Sequence, residues 1–482
     1  MACAEAPVAM TRATLDAFRA ADLEHLAKRE IDPSRMRPID GSKCIARSAD
    51  GVALAHDGEC IDLGEAYTVG PSSDGSHGHT PLRFLPPPRM LTAAATDAQA
   101  EKHAAVLRKA VEVLQFPPAS RCRLAPPDDD KPVFYMHELP QVGFGSVIEY
   151  AIMFLARGLA INAPLRLGPD SSKAWTSPWF CGAQRALTCY FNLTSCCAVV
   201  RAAGAAGRPL VLPRRRDPIN VGARGYNEYG SAWVSGQLAR FLFERLTPPT
   251  RRELERRRAG TRAASWLSGG SGMGGASTRP LVIGMHIRRG DSCHMHRYCP
   301  ANLTSSYFAA AAALRQVYGA NRILLATDDR EAAHLCRARV LGFECTTQAI
   351  ERSKFESADL IENRVAKHEQ GSLSGSAVAL DALADMDMLA DADLFVMLLR
   401  SCFARVAYAL AIGRKGRTPP VISLEAPWSP YRAYKMTPGK DKGMAGKMGM
   451  NKLLRRGGGR GGGRGGGRGG GFMRRDPRRG AP

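Results

Sequence analysis

Apolar and polar positions change period several times along the chain, and these changes divide it. Ala98–Phe116 sets Ala105, Leu107, Val111 and Leu114 at helical spacing and stops at Pro117-Pro118, which predicts an amphipathic helix. Val133–Met136 reads as a strand, and Gly143-Phe144-Gly145-Ser146 as a tight turn into a helix from Val147 to about Ala160. Pro164–Leu167 is the next expected strand. Ser231–Leu246 predicts a long helix, and a second one, rich in Arg and Glu, opens at Pro248-Pro249-Thr250.

Beyond the Gly/Ser stretch Ser268–Ser277, read as a surface loop or hinge, strands and helices alternate. Strand Pro280–Ile287 precedes helix Ser305–Tyr318, and strand Arg322–Ala326 precedes helix Arg330–Val340. Helix Val378–Ala390, strand Asp393–Val396, helix Phe403–Ile412 and strand Pro420–Leu424 complete the series. Such alternation implies a parallel sheet covered on both faces, a Rossmann-like domain. The expected organisation is a partly ordered preamble (1–125), an α/β lobe (126–267), a Rossmann-like lobe (268–430) and a basic tail (431–482). The tail ends in four RGGG units, which cannot form a packed core and are expected to be disordered.

Composition sharpens this picture at two points. With 482 residues and 45% hydrophobic positions, the chain can bury at least one large core. The net charge of +22 is unusual, but after Asn451 the tail alone carries ten Lys or Arg against Asp476, leaving a moderately basic body. That balance suits an anionic substrate and, equally, plain solubility.

Thirteen cysteines, several of them close in sequence (Cys181, Cys189, Cys196 and Cys197; Cys293 and Cys299), fit disulfides in an oxidising lumen better than a zinc site. The sequons at Asn192 and Asn302 point the same way. A secretory-pathway lumen such as the Golgi is therefore the expected location, with the cytoplasm as the alternative. Against it, no segment is a membrane span: Val147–Leu165 carries Glu149 and Arg157, and Ala392–Gly413 carries Asp393, Arg400 and Arg405. The first residues also lack an apolar signal core. Any membrane association is expected only through an anchor not visible in this sequence.

The most informative segment is Ile283-Gly-Met-His286-Ile-Arg288-Arg289-Gly-Asp291, at the C-terminal end of an expected strand, where doubly wound sheets bind ligands. Alternation sends His286 and Arg288 to one face and Arg289 to the other. Two permanently charged guanidinium forks suit a diphosphate. The competing reading is a basic surface loop. At the next strand end, Asp328 and Asp329 suit ribose hydroxyls or a guanine edge, while Asp328 with Glu331 equally makes a helix capping box. Asp385, Asp387, Asp391 and Asp393, followed by Ser401 and Arg405, read as either site or solvated helix face. Gly143 and Gly145 before a helix offer backbone N–H groups to a phosphate, a weak signal alone.

In this order the pieces resemble the α-1,6-fucosyltransferases of N-glycan cores and their nodulation relatives, over about Phe134 to Leu424. The resemblance is carried by GFG before an apolar helix, WVSGQLARFLFERLTPP, HIRRGD, LATDD, the Glu-Asn-Arg at Glu362–Arg364, and DMDMLADADLFV with RSCFARVAY. It implies an α/β fold of two Rossmann-like lobes, GT-B-like, with the N-terminal lobe on the acceptor side and the C-terminal lobe holding GDP-fucose. It implies no metal and no cofactor beyond the donor substrate. His286 and Arg288 fall on diphosphate-contacting positions, and Arg288 would stabilise the departing GDP. Arg289, Asp328, Asp329, Arg364, Asp385, Ser401, Gly143 and Gly145 are further donor-site candidates.

Inversion at the sugar demands a base. Where the core enzymes carry a Lys and, four residues on, a Glu, this chain has Ser292 and His296, so His296 is the candidate base, with His294 nearby. Cys293 and Cys299 bracket this loop as a candidate disulfide. The expected partners are GDP-fucose and a glycan or glycoprotein acceptor. A protein O-fucosyltransferase-like activity and an inactive donor-binding homologue are the alternatives. From another class, the RGGG tail suggests RNA binding, but with Phe472 the one aromatic after Asn451, nucleic acid is not the expected partner.

Overall fold

The computed structural model describes short strands at 55–56, 59–60, 67–69, 82–84 and 134–136, and residues 98–116, 142–161, 165–167, 170–194, 230–267, 279–294, 303–357, 359–368 and 370–424. All of them fall in one compact unit. The RGGG tail, His296, Cys299, the Ser268–Ser277 stretch and the Asn302 sequon lie outside the described residues.

Eleven strands are described. β1 (Ala55–His56) and β2 (Glu59–Cys60) pair with each other, and β5 (Phe134–Met136) pairs in parallel with β6 (Leu165–Leu167) across helix Phe144–Ile161. The other seven are β3 (Tyr67–Val69), β4 (Leu82–Phe84), β7 (Val282–Ile287), β8 (Arg322–Thr327), β9 (Glu344–Thr347), β10 (Leu394–Met397) and β11 (Val421–Ser423). They form one sheet in the order β3-β4-β11-β10-β7-β8-β9. The five strands from β11 to β9 are parallel, while β3 and β4 add antiparallel to the β11 edge. The preamble thus contributes strands to this sheet.

Counted from β7, the parallel strands run third, second, first, fourth, fifth, the order of a doubly wound dinucleotide-type sheet. Chain direction reverses its march between β7 and β10. At that switch point the connections leaving the two strands lead to helices on opposite faces of the sheet, the place where doubly wound sheets form their ligand crevice.

Alternation along β7, β8 and β10 sorts the core into two layers. Val282, Leu324, Ala326, Phe395 and Met397 face a layer with helices Phe144–Ile161, Gly230–Glu244, Gly375–Leu389 and Cys402–Lys415. Ile283, Met285, Ile287, Ile323, Leu325, Leu394 and Val396 face helices Leu303–Tyr318 and Arg330–Arg337. In the first layer helices Gly230–Glu244 and Cys402–Lys415 touch backbone to backbone: a Cβ on Gly236 would sit 2.6 Å from the Ala409 carbonyl oxygen. The Gly in WVSGQLARF is therefore a packing residue.

Cys181–Cys189 and Cys336–Cys345 are disulfides. Cys293 is also disulfide-bonded, to a partner outside the residues whose side chains are described. Asn192 of the first sequon is exposed. Among the described residues no helix is long and apolar enough to cross a membrane, and no cluster of three His, Cys, Asp or Glu is placed to hold a metal.

Candidate active site

The switch point is where His286 sits. It lies on β7, on the face of Val282, its side chain 4% exposed. The loop leaving β10 brings Phe403 against it, ring on ring, 4.3 Å between centroids and 17° from parallel. The stack is possible because helix Phe144–Ile161 comes equally close from the other side. A Cβ on Gly145 would fall 2.7 Å from the Phe403 backbone nitrogen, so only glycine fits there without displacement.

The two glycines stand at the opening of this helix. The helix starts at Phe144, not Val147, because the Gly143 carbonyl accepts from Ser146 N–H at 2.9 Å and Val147 N–H at 3.2 Å and closes the first turn. Gly145 is inside that turn and serves close packing. Gly143 has nothing within 4 Å of its missing Cβ.

Burial, and then the neighbouring Arg288 charge, push the His286 imidazole down to about 3, so it is neutral at physiological pH. Its Nδ1 is buried without a hydrogen-bond partner. A buried polar atom left unpaired is costly, and one at a crevice is a natural contact for a bound group.

Arg288, at the tip of the strand, spans two carboxylates: Nη1 donates to Asp328 and Nη2 to Asp291. Burial works against its charge, but Asp328, Asp291 and Glu362 outweigh this and hold its pKa above the ordinary arginine value. About a quarter of the side chain (26%) remains exposed. Asp328 also accepts from the Arg289 N–H at 2.8 Å, clamping the strand tip. Burial raises the Asp328 carboxyl above the usual range, against the pull of Arg288. Asp291, 2% exposed, accepts from the Ile361 N–H at 2.8 Å and so fixes the start of helix Ile361–Val365.

Arg289 goes to the opposite layer, where Nη1 donates to Thr304 Oγ1 at 2.9 Å and Glu331 at 3.3 Å and lies 3.6 Å from Asp329. The two arginines therefore do not converge on one point. The capping residue of helix Arg330–Arg337 is Asp329, which accepts from Glu331 N–H at 3.1 Å. The cap expected of Asp328 belongs to its neighbour, because Asp328 is taken by the two arginines.

Arg364 stands on the short helix that Asp291 anchors, and its Nη1 is buried without a hydrogen-bond partner. Glu362, 7% exposed on the same helix, has its carboxyl raised by burial and the Asp291 charge. Ser401 is the N-cap of helix Cys402–Lys415, and its hydroxyl makes no capping bond.

Asp385 differs from its neighbouring acids. Asp381 pairs with Arg257 and Lys354, Asp387 and Asp391 with Arg414, and Asp393 with Arg279. Asp385, 7% exposed, makes no hydrogen bond among the described residues. Burial, then Asp381, push its carboxyl up to about 8. It feels the Arg352 charge, and Arg352 Nε donates to the Thr327 carbonyl at 3.2 Å at the end of β8. Four of these five acids are thus in structural ion pairs, and Asp385 is the one with unspent hydrogen-bonding capacity.

Phe403, Arg352 and Asp291 were not singled out as site residues from the sequence. Phe403 lies beside Ser401 in a segment already suspect, a signal that was present. Arg352 has no sequence signal, because only the sheet brings it to the end of β8.

No family model matches the chain, and no curated protein is similar to it. Among solved structures it is similar to NodZ alpha-1,6-fucosyltransferase soaked with GDP-fucose (16% identity, TM-score 0.23, 37% of this chain and 47% of that one). It is also similar to fucosyltransferase NodZ from Bradyrhizobium (16%, TM-score 0.22, 36% and 45%). A third is POFUT1 in complex with GDP-fucose (12%, TM-score 0.22, 39% and 49%). Each match spans just under half of the solved chain. At these TM-scores the likeness decides neither fold nor activity.

Proposed function

We propose that the chain is an inverting glycosyltransferase that moves L-fucose from GDP-β-L-fucose to a glycan, the N-glycan core being the first acceptor to test. The observation that carries this reading is the position of HxRRGD: its His and first Arg stand at the carboxyl edge of a doubly wound sheet, at the switch point between β7 and β10. That is where such sheets hold nucleotides, and the segment is the strongest element of the family resemblance.

In this reading Arg288 carries the leaving-group role. Two carboxylates hold its fork in one orientation, so little rotamer freedom is lost when a phosphate oxygen arrives. Charge growing on the departing GDP would compete for the same guanidinium, and a preoriented donor stabilises it without reorganisation. Neutral His286 and the unpaired Arg364 Nη1 offer further contacts to the donor. Asp385, largely protonated below pH 8, can donate as well as accept a hydrogen bond, as recognition of a base edge or a ribose hydroxyl requires. Arg289, Asp328 and Asp329 support the strand tip, and His296 is the proposed base. No metal is invoked.

The test is direct. Purified protein is given GDP-fucose or GDP-mannose, with and without an N-glycan core acceptor, and GDP release and fucosylated product are measured. Fucose-specific, acceptor-dependent GDP release is expected. Release from neither donor, with no binding of either, would overturn the proposal.

A further inference from the structure

Among the described residues three large hydrophobic side chains are exposed: Val317, Leu341 and Trp179. Val317 and Leu341 lie in segments leading into β8 and β9, at the amino edge of the sheet and away from the crevice. Trp179 is different in placement and in construction.

Trp179 belongs to the short helix Pro178–Cys181, in the segment closed by the Cys181–Cys189 disulfide. Its indole is 50% exposed, yet its N–H donates at 3.0 Å to the hydroxyl of Ser374. Ser374 is the buried N-cap of helix Gly375–Leu389. In a parallel α/β sheet the helix entering a strand runs against it, so this N-terminus lies at the carboxyl edge. Trp179 is thus on the same edge as Arg288. Helix Gly375–Leu389 is also the one that carries Asp385.

The ring is held from behind as well. Trp179 meets Phe180 edge to face at 5.5 Å, Phe180 stacks on Tyr190 at 6.0 Å, and Tyr190 meets Phe144 at 5.8 Å. Phe144 adjoins Gly145, which lies against Phe403, the residue stacked on His286. A run of four rings from Trp179 to Phe144, joined through Gly145 to the Phe403–His286 stack, therefore links the strand tip to one exposed indole. Ser177 and Ser376 lock the same junction, exchanging hydrogen bonds of 2.7 and 3.1 Å. Exposed polar side chains are available in its own segment (Lys173, Gln184) and in the loop entering Ser374 (Lys367, His368, Gln370, Ser372), beside exposed Pro178, Gly182 and Ala183.

An immobilised aromatic face with a polar border suits a ligand that is apolar on one face and hydroxylated at its rim. A pyranose ring has that chemistry: its C–H face packs on the indole while its hydroxyls bond to the surroundings. Because the indole is already fixed, docking costs little side-chain entropy. We infer that Trp179 is the platform on which an acceptor sugar residue stacks, so that the Asp170–Tyr190 segment forms the acceptor-side wall of the crevice. This rests on the glycosyl-transfer reading for the identity of the acceptor.

The experiment compares wild-type full chain with Trp179→Ala and Trp179→Phe. The probes are the trimannosyl-chitobiose core of an N-glycan, titrated in the presence of GDP, and GDP-fucose titrated alone. Trp179→Ala is expected to raise the glycan Kd about tenfold and Trp179→Phe about two- to threefold, as for a lost or reduced aromatic anchor. The GDP-fucose Kd is expected to stay at the wild-type value, while the unfolding midpoint of Trp179→Ala falls modestly with loss of the Ser374 bond and the Phe180 contact. Equal glycan affinity in all three chains would overturn the platform and leave the ring to a protein partner. Wild-type chain that binds GDP-fucose but not the glycan would overturn it too. Failure to bind GDP-fucose alongside Trp179-dependent glycan binding would strike the donor reading and leave the platform standing.

Discussion

The imidazole of His286 and the ring of Phe403 lie face to face, 4.3 Å apart, although they belong to segments separated by most of the Rossmann-like half of the chain. The contact exists because β7 and β10 are neighbours in the sheet and both loops open at the switch point. It buries the imidazole, and burial together with the Arg288 charge disfavours its protonated form.

His286 is expected not to titrate between pH 4 and 8 in the folded protein, since burial and Arg288 hold it down at about 3. The unfolded imidazole takes its proton near 6.5, so this group's contribution to stability is present above 6.5 and is lost as pH falls toward 3. Histidine side-chain NMR across that range, with His286→Gln to assign the signal, checks it. A midpoint near 6.5 for His286 would show that the stack is open in solution.

Arg288 tests the leaving-group role, but the alanine variant is the wrong instrument. It strands Asp328 and Asp291 as buried, unpaired carboxylates, a change that costs roughly 3–5 kcal/mol. Arg288→Ala is therefore expected to lose stability together with activity. Arg288→Lys keeps the charge and loses the fork. It is expected to stay folded and to lower fucosyl transfer about 100- to 1,000-fold, the range for one lost electrostatic donor. Wild-type turnover in that variant would remove Arg288 from the mechanism.

Gly145→Ala is expected to cost about 1–3 kcal/mol, as overpacking of a close contact does. The new methyl would fall 2.7 Å from the Phe403 backbone, and relief requires helices Phe144–Ile161 and Cys402–Lys415 to part. Donor affinity should fall with stability, because Phe403 carries His286 with it. Gly143→Ala, with open space at its Cβ, is the control and should leave packing intact. Urea unfolding and GDP-fucose titration of both variants read the difference.

Asp385 predicts a pH dependence of the opposite sign. The folded carboxyl keeps its proton up to about 8, and the unfolded one releases it near 3.8. Its contribution is full below 3.8 and is lost as pH rises through 8. Asp385→Asn should flatten the decline in stability between pH 5 and 8, measured as urea midpoints at the two pH values. Parallel wild-type and variant curves would show that Asp385 is ionised in the fold.

The elements with strong periodicity were legible in the sequence. β7, β8 and β10 are runs of apolar residues and could be placed to within two residues, as could helices Leu303–Tyr318 and Ala98–Gln115. β9 was not, since Glu344-Cys-Thr-Thr is a polar edge strand whose identity comes from pairing with β8. β3 and β4 were not either: Tyr67-Thr-Val and Leu82-Arg-Phe stand in a stretch punctuated by Gly and Pro, and their place comes from pairing with each other and with β11. Helix Ile361–Val365 is too short to announce itself and starts where Asp291 holds its first N–H.

The candidate site divides along the same line. By itself the sequence determined which residues could do chemistry, because a charged fork at the end of an apolar strand is a local pattern. It also determined that His286 and Arg288 share a face, since alternation is a property of the strand. Only the tertiary structure decided what each of these residues is bonded to. It placed Phe403 on His286, Asp328 and Asp291 on Arg288, and Arg289 in the opposite layer. It turned Asp387, Asp391 and Asp393 into ion pairs and left Asp385 with unspent capacity. Strand order sets those partnerships, and it follows from how sheet and helices pack together, a balance of burial over the whole core that no short stretch of residues encodes.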